Sequence, residues 1–117
     1  MDFWGRVRRS VASAEANFQA AIEDYRDALV LLYAETALTY TEVRALQARI
    51  AYTLGNIATQ RSALRLVRDR NRAGLASDLE VHQAELNLYR TESFLPRLRA
   101  GLVAAVNRLG VLIGEPP

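Results

Sequence analysis

Apolar positions recur at helical spacing along almost the whole chain. From about residue 5 to residue 72 the sequence contains no proline and one interior glycine, Gly55, and is rich in Ala, Leu, Arg, Glu and Gln. A helix of that extent would be roughly 100 Å long, whereas a compact domain of this size has a radius of gyration of about 13 Å. The pattern therefore predicts a long helix that lies along other helices.

A second helix is predicted from about residue 78 to residue 113. Gly114 and the closing Pro116-Pro117 are strong helix-stop signals. Pro96 removes a backbone donor, so we expect the returning helix to be kinked or split there. The apolar residues of this segment follow the 3,4 spacing of a coiled-coil seam: Leu95, Leu98, Leu102, Ala105, Leu109 and Leu112.

The turn between the two helices, residues 73–77, carries the best-defined local signals. Gly74 suits the left-handed position that follows a helix C-terminus, because a Cβ is costly there. Ser77 with Glu80 three residues later forms the pattern of a capping box. We therefore predict an all-α fold over residues 1–117, a single antiparallel helical hairpin with the tip turn at 73–77.

The long helix has apolar residues on two faces, which predicts two neighbours. One seam is Val7, Val11, Ala14, Phe18, Ala21, Tyr25, Ala28 and Leu32, and another is Val43, Leu46, Ile50, Leu54, Ile57 and Leu64. The second face is mostly small: Ala12, Ala16, Ala20, Ala34, Ala37, Ala45, Ala48 and Ala51. A helix in a closed ring has one neighbour on each side, and this pattern suits such a ring.

The two helices differ in length. The returning helix would span roughly 54 Å, and folded back it reaches only to about Ala37. The preceding stretch still carries large apolar side chains, and exposing each forgoes on the order of 1.5–3 kcal/mol. We therefore expect this stretch to be covered by oligomerisation or by further chain segments: its large residues include Phe18, Ile22, Tyr25, Leu29 and Leu32.

Composition narrows the functional classes. The formal net charge is +2 with acidic and basic residues interspersed, which argues against a nucleic-acid partner. Without cysteine there is no disulfide, thiol catalysis or cysteine-ligated zinc. No signal peptide and no uncharged apolar run of about 18 residues is evident. No catalytic set, phosphate loop or nucleotide fingerprint is present, so we expect neither an enzyme nor a cofactor.

Two further groups of side chains are candidate sites. Arg6, Arg8 and Arg9 lie at a helix N-terminus, where the helix dipole disfavours positive charge. They are either a solvated patch or, with Trp4, a contact for anionic head groups or an acidic neighbour. The single histidine, His82, has only Glu85 nearby, which is a weak metal signal, so no metal site is expected.

Four segments, read together, carry a family resemblance. They are DFWGRVRRS, ETALTYTEVRALQARI, RNRAGLASDLEVHQAEL and LPRLRAGLVAAVNRLGVLIGEPP. In this order and spacing the chain resembles the TolC-like outer-membrane efflux channels (outer membrane factors), and among them the NodT-like lipoprotein branch. The resemblance covers essentially the whole chain and corresponds to the first long helix, the tip turn and the returning helix of one subunit.

The resemblance implies a trimeric channel whose helices form a cylinder through the periplasm below an outer-membrane β-barrel. It also implies that the tip docks a periplasmic adaptor (membrane fusion) protein, which links the channel to an inner-membrane pump. The tip residues that match are Ala73, Gly74, Leu75, Ala76 and Ser77. Gly74 and Ser77 are expected mainly to shape the turn, whereas Leu75 is an exposed apolar residue that favours partner contact.

Two other interpretations remain open at this stage. One is a free-standing coiled-coil oligomerisation or scaffold protein that uses the same seams. The other is a peripheral membrane helix that uses Phe3, Trp4 and the arginine cluster. A gene that continues into β-strand-like alternation and a second matching hairpin favours the channel, and binding to anionic liposomes favours the membrane helix.

Overall fold

A computed structural model describes residues 5–115 and shows two helices joined by a short turn. Helix α1 is Arg6–Arg72 and helix α2 is Asp78–Leu112. These bounds lie within one residue of those expected from the sequence. The described range contains no β-strand. The predicted all-α helical hairpin is confirmed. The chain divides into two compact units, Met1–Ala37 and Leu38–Pro117, and each is described by itself below.

The hairpin, residues 38–117, is held together by a heptad seam on each helix. The least exposed positions of α2 follow 3,4 spacing, which keeps one stripe of a helix facing its partner. They are Val81, Ala84, Leu88, Thr91, Leu95, Leu98, Leu102, Ala105, Leu109 and Leu112. All six residues of the seam predicted for α2 are among them, so that prediction is confirmed.

The facing seam of α1 replaces one predicted residue, Leu54, and includes three that were not predicted, Gln60, Val67 and Asn71. Leu54 was expected to be in the seam, but it is 44% exposed, and Thr53 is the less exposed neighbour. The alternating 3,4 step from Val43 requires residue 53, so Leu54 falls on the flank of the contact. The observed seam is Val43, Leu46, Ile50, Thr53, Ile57, Gln60, Leu64, Val67 and Asn71.

Contacts between α1 and α2 show that they pack side by side and antiparallel. Ile57, Leu64 and Leu88 form one buried apolar cluster, and Val81, Ala84 and Leu95 pack against it. On one face, ion pairs join the helices from Arg61 to Glu92 (2.7 Å) and from Arg68 to Glu85 (2.6 Å). Both pairs are partly exposed to solvent, which weakens them, so burial of the seam is the main stabilising term.

Pro96 lies inside α2, and the helix continues through it without interruption. Of the two outcomes expected from the sequence, the helix is therefore not split. A proline ring tolerates a helix interior at the cost of one backbone hydrogen bond and a local bend. The kink near Pro96 stays a prediction.

In the first unit, α1 runs without a break from Arg6 to the end of the unit at Ala37, and none of the described residues there has a buried side chain. Leu29 and Thr36 are half-buried, and Phe18, Tyr25 and Leu31 are largely exposed. The seam of the hairpin begins near Thr39. This agrees with the helix lengths, from which α2 was expected to reach back to about Ala37. In neither helix of the described part of the chain is there a stretch apolar and long enough to span a membrane.

Gln60 occupies a seam position and its Oε1 is buried without a hydrogen-bond partner among the described residues. A buried acceptor left unpaired costs about 1–3 kcal/mol. We predict that Gln60→Met, which keeps an unbranched side chain of similar length, raises the free energy of unfolding by ~1–2 kcal/mol. Urea unfolding followed by far-UV circular dichroism measures this.

Gln47→Met is the matched control, because Gln47 is exposed and its amide bonds only to Arg44. That change should stay within ~0.5 kcal/mol of the wild type. Equal effects of the two substitutions would contradict a special cost at residue 60.

Candidate docking site at the hairpin tip

Backbone hydrogen bonds end α1 at a defined point. The amide of Leu75 donates to the carbonyl of Arg70, and the amide of Gly74 donates to that of Asn71, each over 2.8 Å. This is the Schellman arrangement, and it needs a left-handed residue at Gly74, whose φ is +74°. The predicted role of Gly74 is confirmed. These two hydrogen bonds fix the backbone conformation of the turn and so the positions of the residues at its apex.

Helix α2 starts with the predicted capping box. The amide of Glu80 donates to Ser77 Oγ over 3.3 Å, and the amide of Ser77 donates to Glu80 Oε1 over 3.1 Å. Ser77 Oγ also donates to Glu80 Oε1 over 3.0 Å. Because each residue satisfies the other's backbone amide, the first turn of α2 is fixed where it leaves the tip.

Asn71 braces the tip from inside, a role that the sequence analysis missed. Its Nδ2 donates to the Ala76 carbonyl over 2.9 Å and to Asp78 Oδ1 over 3.0 Å. A single side chain thus joins the last turn of α1, the loop and the first residue of α2. Asn71 occupies the next heptad position after Leu64 and Val67. Its inward orientation could therefore have been predicted by continuing the heptad register of α1.

We predict that Asn71→Ala lowers the free energy of unfolding by ~1–2 kcal/mol, because it leaves the half-buried Ala76 carbonyl without its donor. Asn87→Ala is the control, since Asn87 is exposed on α2 and its side chain makes no hydrogen bond among the described residues. Urea unfolding of both variants checks this. Equal losses would contradict the bracing role.

The apex presents apolar side chains to solvent. Leu75 is 70% exposed and Leu79, the second residue of α2, is 65% exposed. Of the remaining predicted tip residues, Ala73 and Ser77 are exposed and Ala76 is half-buried. The structure therefore brings Ala73, Gly74, Leu75, Ala76 and Ser77 together in one braced turn with Leu75 outward, a geometry suited to receiving an apolar surface.

Two carboxylates near the tip have lowered pKa values. The Ser77 backbone amide, then the Ser77 hydroxyl, holds the pKa of Glu80 below its ordinary value of 4.5. The Arg68 guanidinium, then the His82 ring, does the same for the pKa of Glu85. Each group is more stable ionised in the fold than in the unfolded chain, so its contribution is complete above the unfolded pKa. It is lost as pH falls through the folded pKa.

We therefore predict that the hairpin loses stability as pH falls below the ordinary glutamate pKa of 4.5, and that Glu80→Gln flattens this dependence. Glutamine keeps an acceptor oxygen for the cap but does not titrate. Urea midpoints measured across this pH range test the prediction. An unchanged slope in the variant would contradict it.

His82 contacts Glu85, the second of the two carboxylates with a lowered pKa. Its Nδ1 lies 3.2 Å from Glu85 Oε2, and the other oxygen of Glu85 accepts from Arg68 over 2.6 Å. The described residues contain no group of three or more histidines and carboxylates that could hold a metal ion. His82 thus belongs to a chain of hydrogen-bonded side chains, with Glu85 and Arg68, that links the two helices near the tip.

The second predicted contact site, the arginine cluster with Trp4, belongs to the first unit, Met1–Ala37. Arg6 begins α1, Arg8 and Arg9 follow in its first turn, and all three are exposed, with no acidic side chain in that turn. Trp4, the fourth residue of this prediction, lies outside the described residues. The proposed contact of these arginines with head groups or an acidic partner stays a prediction.

Comparison with known proteins assigns the chain to a family. Residues 1–115 match the outer membrane efflux protein family. The chain is 32% identical over 116 residues to the pyoverdine export outer membrane protein OpmQ of Pseudomonas aeruginosa, covering 99% of this chain and 24% of OpmQ. It is 28% identical over 116 residues to nodulation protein T of Rhizobium leguminosarum bv. trifolii, covering 99% of this chain and 25% of that protein.

A third relative is the toluene efflux pump outer membrane protein TtgF of Pseudomonas putida, 30% identical over 115 residues that cover 97% of this chain and 24% of TtgF. The chain thus spans about a quarter of the length of these relatives. No solved structure gave a significant match. With a match that runs from residue 1 to residue 115, this helical hairpin belongs to the outer membrane efflux protein family.

Proposed function

We propose that this chain forms part of the periplasmic helical wall of a trimeric outer-membrane channel in a tripartite export pump. Its tip would dock a periplasmic adaptor (membrane fusion) protein, and the adaptor would connect the channel to an inner-membrane pump that supplies the energy. The wall itself would be passive: it encloses a conduit and catalyses no reaction.

One observation carries the wall assignment. The apolar residues of the hairpin seam are covered by the partner helix, whereas residues 6–35 carry a row of large apolar side chains that are exposed or, at Leu29, half-buried. This row has heptad spacing, which suits packing against another helix rather than against a flat surface. Helices from the rest of the channel, or from a second subunit, would cover it: the row is Phe18, Ile22, Tyr25, Leu29 and Leu32.

The docking assignment rests on the tip. Turns are usually polar, yet Leu75 is held outward by two hydrogen-bonded helix ends and the Asn71 brace. A rigid apolar group loses little conformational entropy when it binds, which favours its use as an anchor. The adaptor would therefore present an apolar recess to Leu75.

A cross-linking experiment tests the docking. A single cysteine that carries a photoactivatable label can be introduced at Leu75 of the complete channel protein, after any free cysteine elsewhere in that protein has been replaced; residues 1–117 themselves contain none. Tyr52→Cys is the matched control, because Tyr52 is equally solvent-exposed but lies on the shaft of α1. We expect the adaptor to be captured from position 75 and not from position 52.

Equal capture from the two positions, or none from position 75, would contradict tip docking. A complete protein that remains a monomer under the same conditions would contradict the trimeric wall. A free-standing scaffold would form oligomers but capture no adaptor at either position.

A further inference from the structure

The two sides of the hairpin differ in how they are closed. One side carries the interhelical ion pairs Arg61–Glu92 and Arg68–Glu85. The other side holds an open groove of about 770 Å³ between α1 and α2. No ion pair between described residues crosses this groove, and none of the described carboxylates lines it. All its lining residues fall within the second unit, so the groove is a feature of the hairpin alone.

Small residues open the groove. Gly101 places no side chain in it, and a Cβ added there would lie 3.7 Å from the side chain of Leu46. Two seam positions in the lining are threonines, Thr53 and Thr91, which fill less space than the leucines found elsewhere in the seam. Their hydroxyls donate to carbonyls four residues back in their own helices, over 2.7 Å and 3.0 Å. These walls therefore need no hydrogen bond from a ligand and offer it mainly apolar contact.

Two arginines and an aromatic ring complete the lining. Arg49 contributes from α1 and Arg97 from α2, and both are exposed. Neither guanidinium forms an ion pair or a hydrogen bond with another described residue. Phe94, which also lines the groove, is 61% exposed. Guanidinium groups bind carboxylates through charge-assisted hydrogen bonds, and an exposed aromatic ring packs against flat ring systems. The lining therefore complements a ligand that joins an aromatic ring system to an anionic group.

We propose that the groove is a binding site for a small aromatic carboxylate. The ring system lies against Phe94 and the apolar floor of Leu46 and Leu98, and the carboxylate pairs with Arg49 and Arg97. The groove is in the range of roughly 300–1,000 Å³ that is typical of small-molecule sites. This binding does not rest on the channel-wall function or on tip docking, because no lining residue belongs to the turn or to the exposed apolar row.

Two probes of the same shape test the proposal on the complete channel protein. They are 2-naphthoate, which carries a carboxylate, and 2-naphthamide, its neutral amide. Titrations followed by ligand-detected NMR give the affinity of each probe, and a titration into detergent alone is the blank. We expect naphthoate to bind at least about tenfold more tightly than naphthamide, because only the carboxylate forms charge-assisted hydrogen bonds with both arginines.

Variants of the lining locate the site. Arg49→Gln with Arg97→Gln should lower the affinity for naphthoate to that for naphthamide, because the positive charge is gone. Phe94→Ala should weaken both probes by the same factor, about fivefold, because both lose the same ring contact. The two effects separate the anionic part of recognition from the aromatic part.

Arg44→Gln with Arg65→Gln is the matched control. It makes the same change in net charge, but both arginines lie outside the groove and their guanidinium groups bond only to Gln47 and Ser62 on α1. We expect it to bind both probes like the wild type. Circular dichroism of every variant shows whether the helices are retained.

Three results would overturn the proposal. Equal affinities of the wild type for the two probes would do so without any variant. Binding of neither probe would do so as well, and this is the result expected if another helix of the complete protein covers the groove. The last is a preference for naphthoate that survives the exchange of Arg49 and Arg97, which would place the anion elsewhere.

Discussion

Changing Leu75 to aspartate is expected to abolish adaptor docking while leaving both helices folded. The side chain is exposed, so the fold loses little by the substitution. An apolar recess on the adaptor would have to bury a carboxylate without a partner, which costs several kcal/mol. We expect the affinity of the complete channel protein for its adaptor to fall at least about a hundredfold, and export by cells that carry the variant to fail.

Leu66→Asp is the control for this experiment. Leu66 is 61% exposed and also lies on α1, but on the shaft instead of at the tip. It should leave docking unchanged if Leu75 acts through its position at the apex. Normal adaptor binding by the Leu75 variant would remove the tip from the docking surface, whatever the result for residue 66.

The largest effect on stability is expected at Leu64. This side chain is buried in the cluster with Ile57 and Leu88, so Leu64→Ala removes apolar contacts and leaves a partly collapsed cavity. The free energy of unfolding should fall by ~2–4 kcal/mol. Urea unfolding followed by circular dichroism measures the loss.

Leu66→Ala makes the same chemical change two residues away on an exposed face. It should alter the free energy of unfolding by no more than ~0.5 kcal/mol. Two equal losses would mean that helix propensity, and not the heptad seam, determines the stability of the hairpin.

The ends of the helices could be predicted because their signals are local. Gly74 must be left-handed to end α1, and Ser77 with Glu80 caps α2 wherever the helices later pack. The seam of α2 was also predictable, since its leucines and alanines mark every heptad step from Leu95 to Leu112.

The seam of α1 was harder to predict because it contains polar residues. Hydrophobicity favours Leu54 over Thr53, but the register set by Val43 and Ile57 turns Thr53 inward. Gln60 and Asn71 occupy seam positions for the same reason. A sequence pattern built from apolar residues alone passes over such positions, although Asn71 organises the tip.

The open groove of about 770 Å³ between α1 and α2, with Arg49 and Arg97 among its lining residues, could not be predicted from either helix alone. Arg49 and Arg97 are 48 positions apart in the sequence and come to one cavity only when α1 and α2 pair in the observed register. The exposure of residues 6–35 could be predicted from the helix lengths, because α2 has 35 residues and α1 has 67.

Hydrogen exchange measured on the isolated chain and on the complete channel protein tests the central claim most directly. Low protein concentration limits self-association of the isolated chain by mass action. We predict slow exchange at residues 43–71 and 81–109 in both samples. We also predict that residues 6–35 exchange at least about a hundredfold faster in the isolated chain and become protected only in the complete protein. Strong protection of residues 6–35 in the isolated monomer would contradict the claim that this part of α1 needs neighbouring helices.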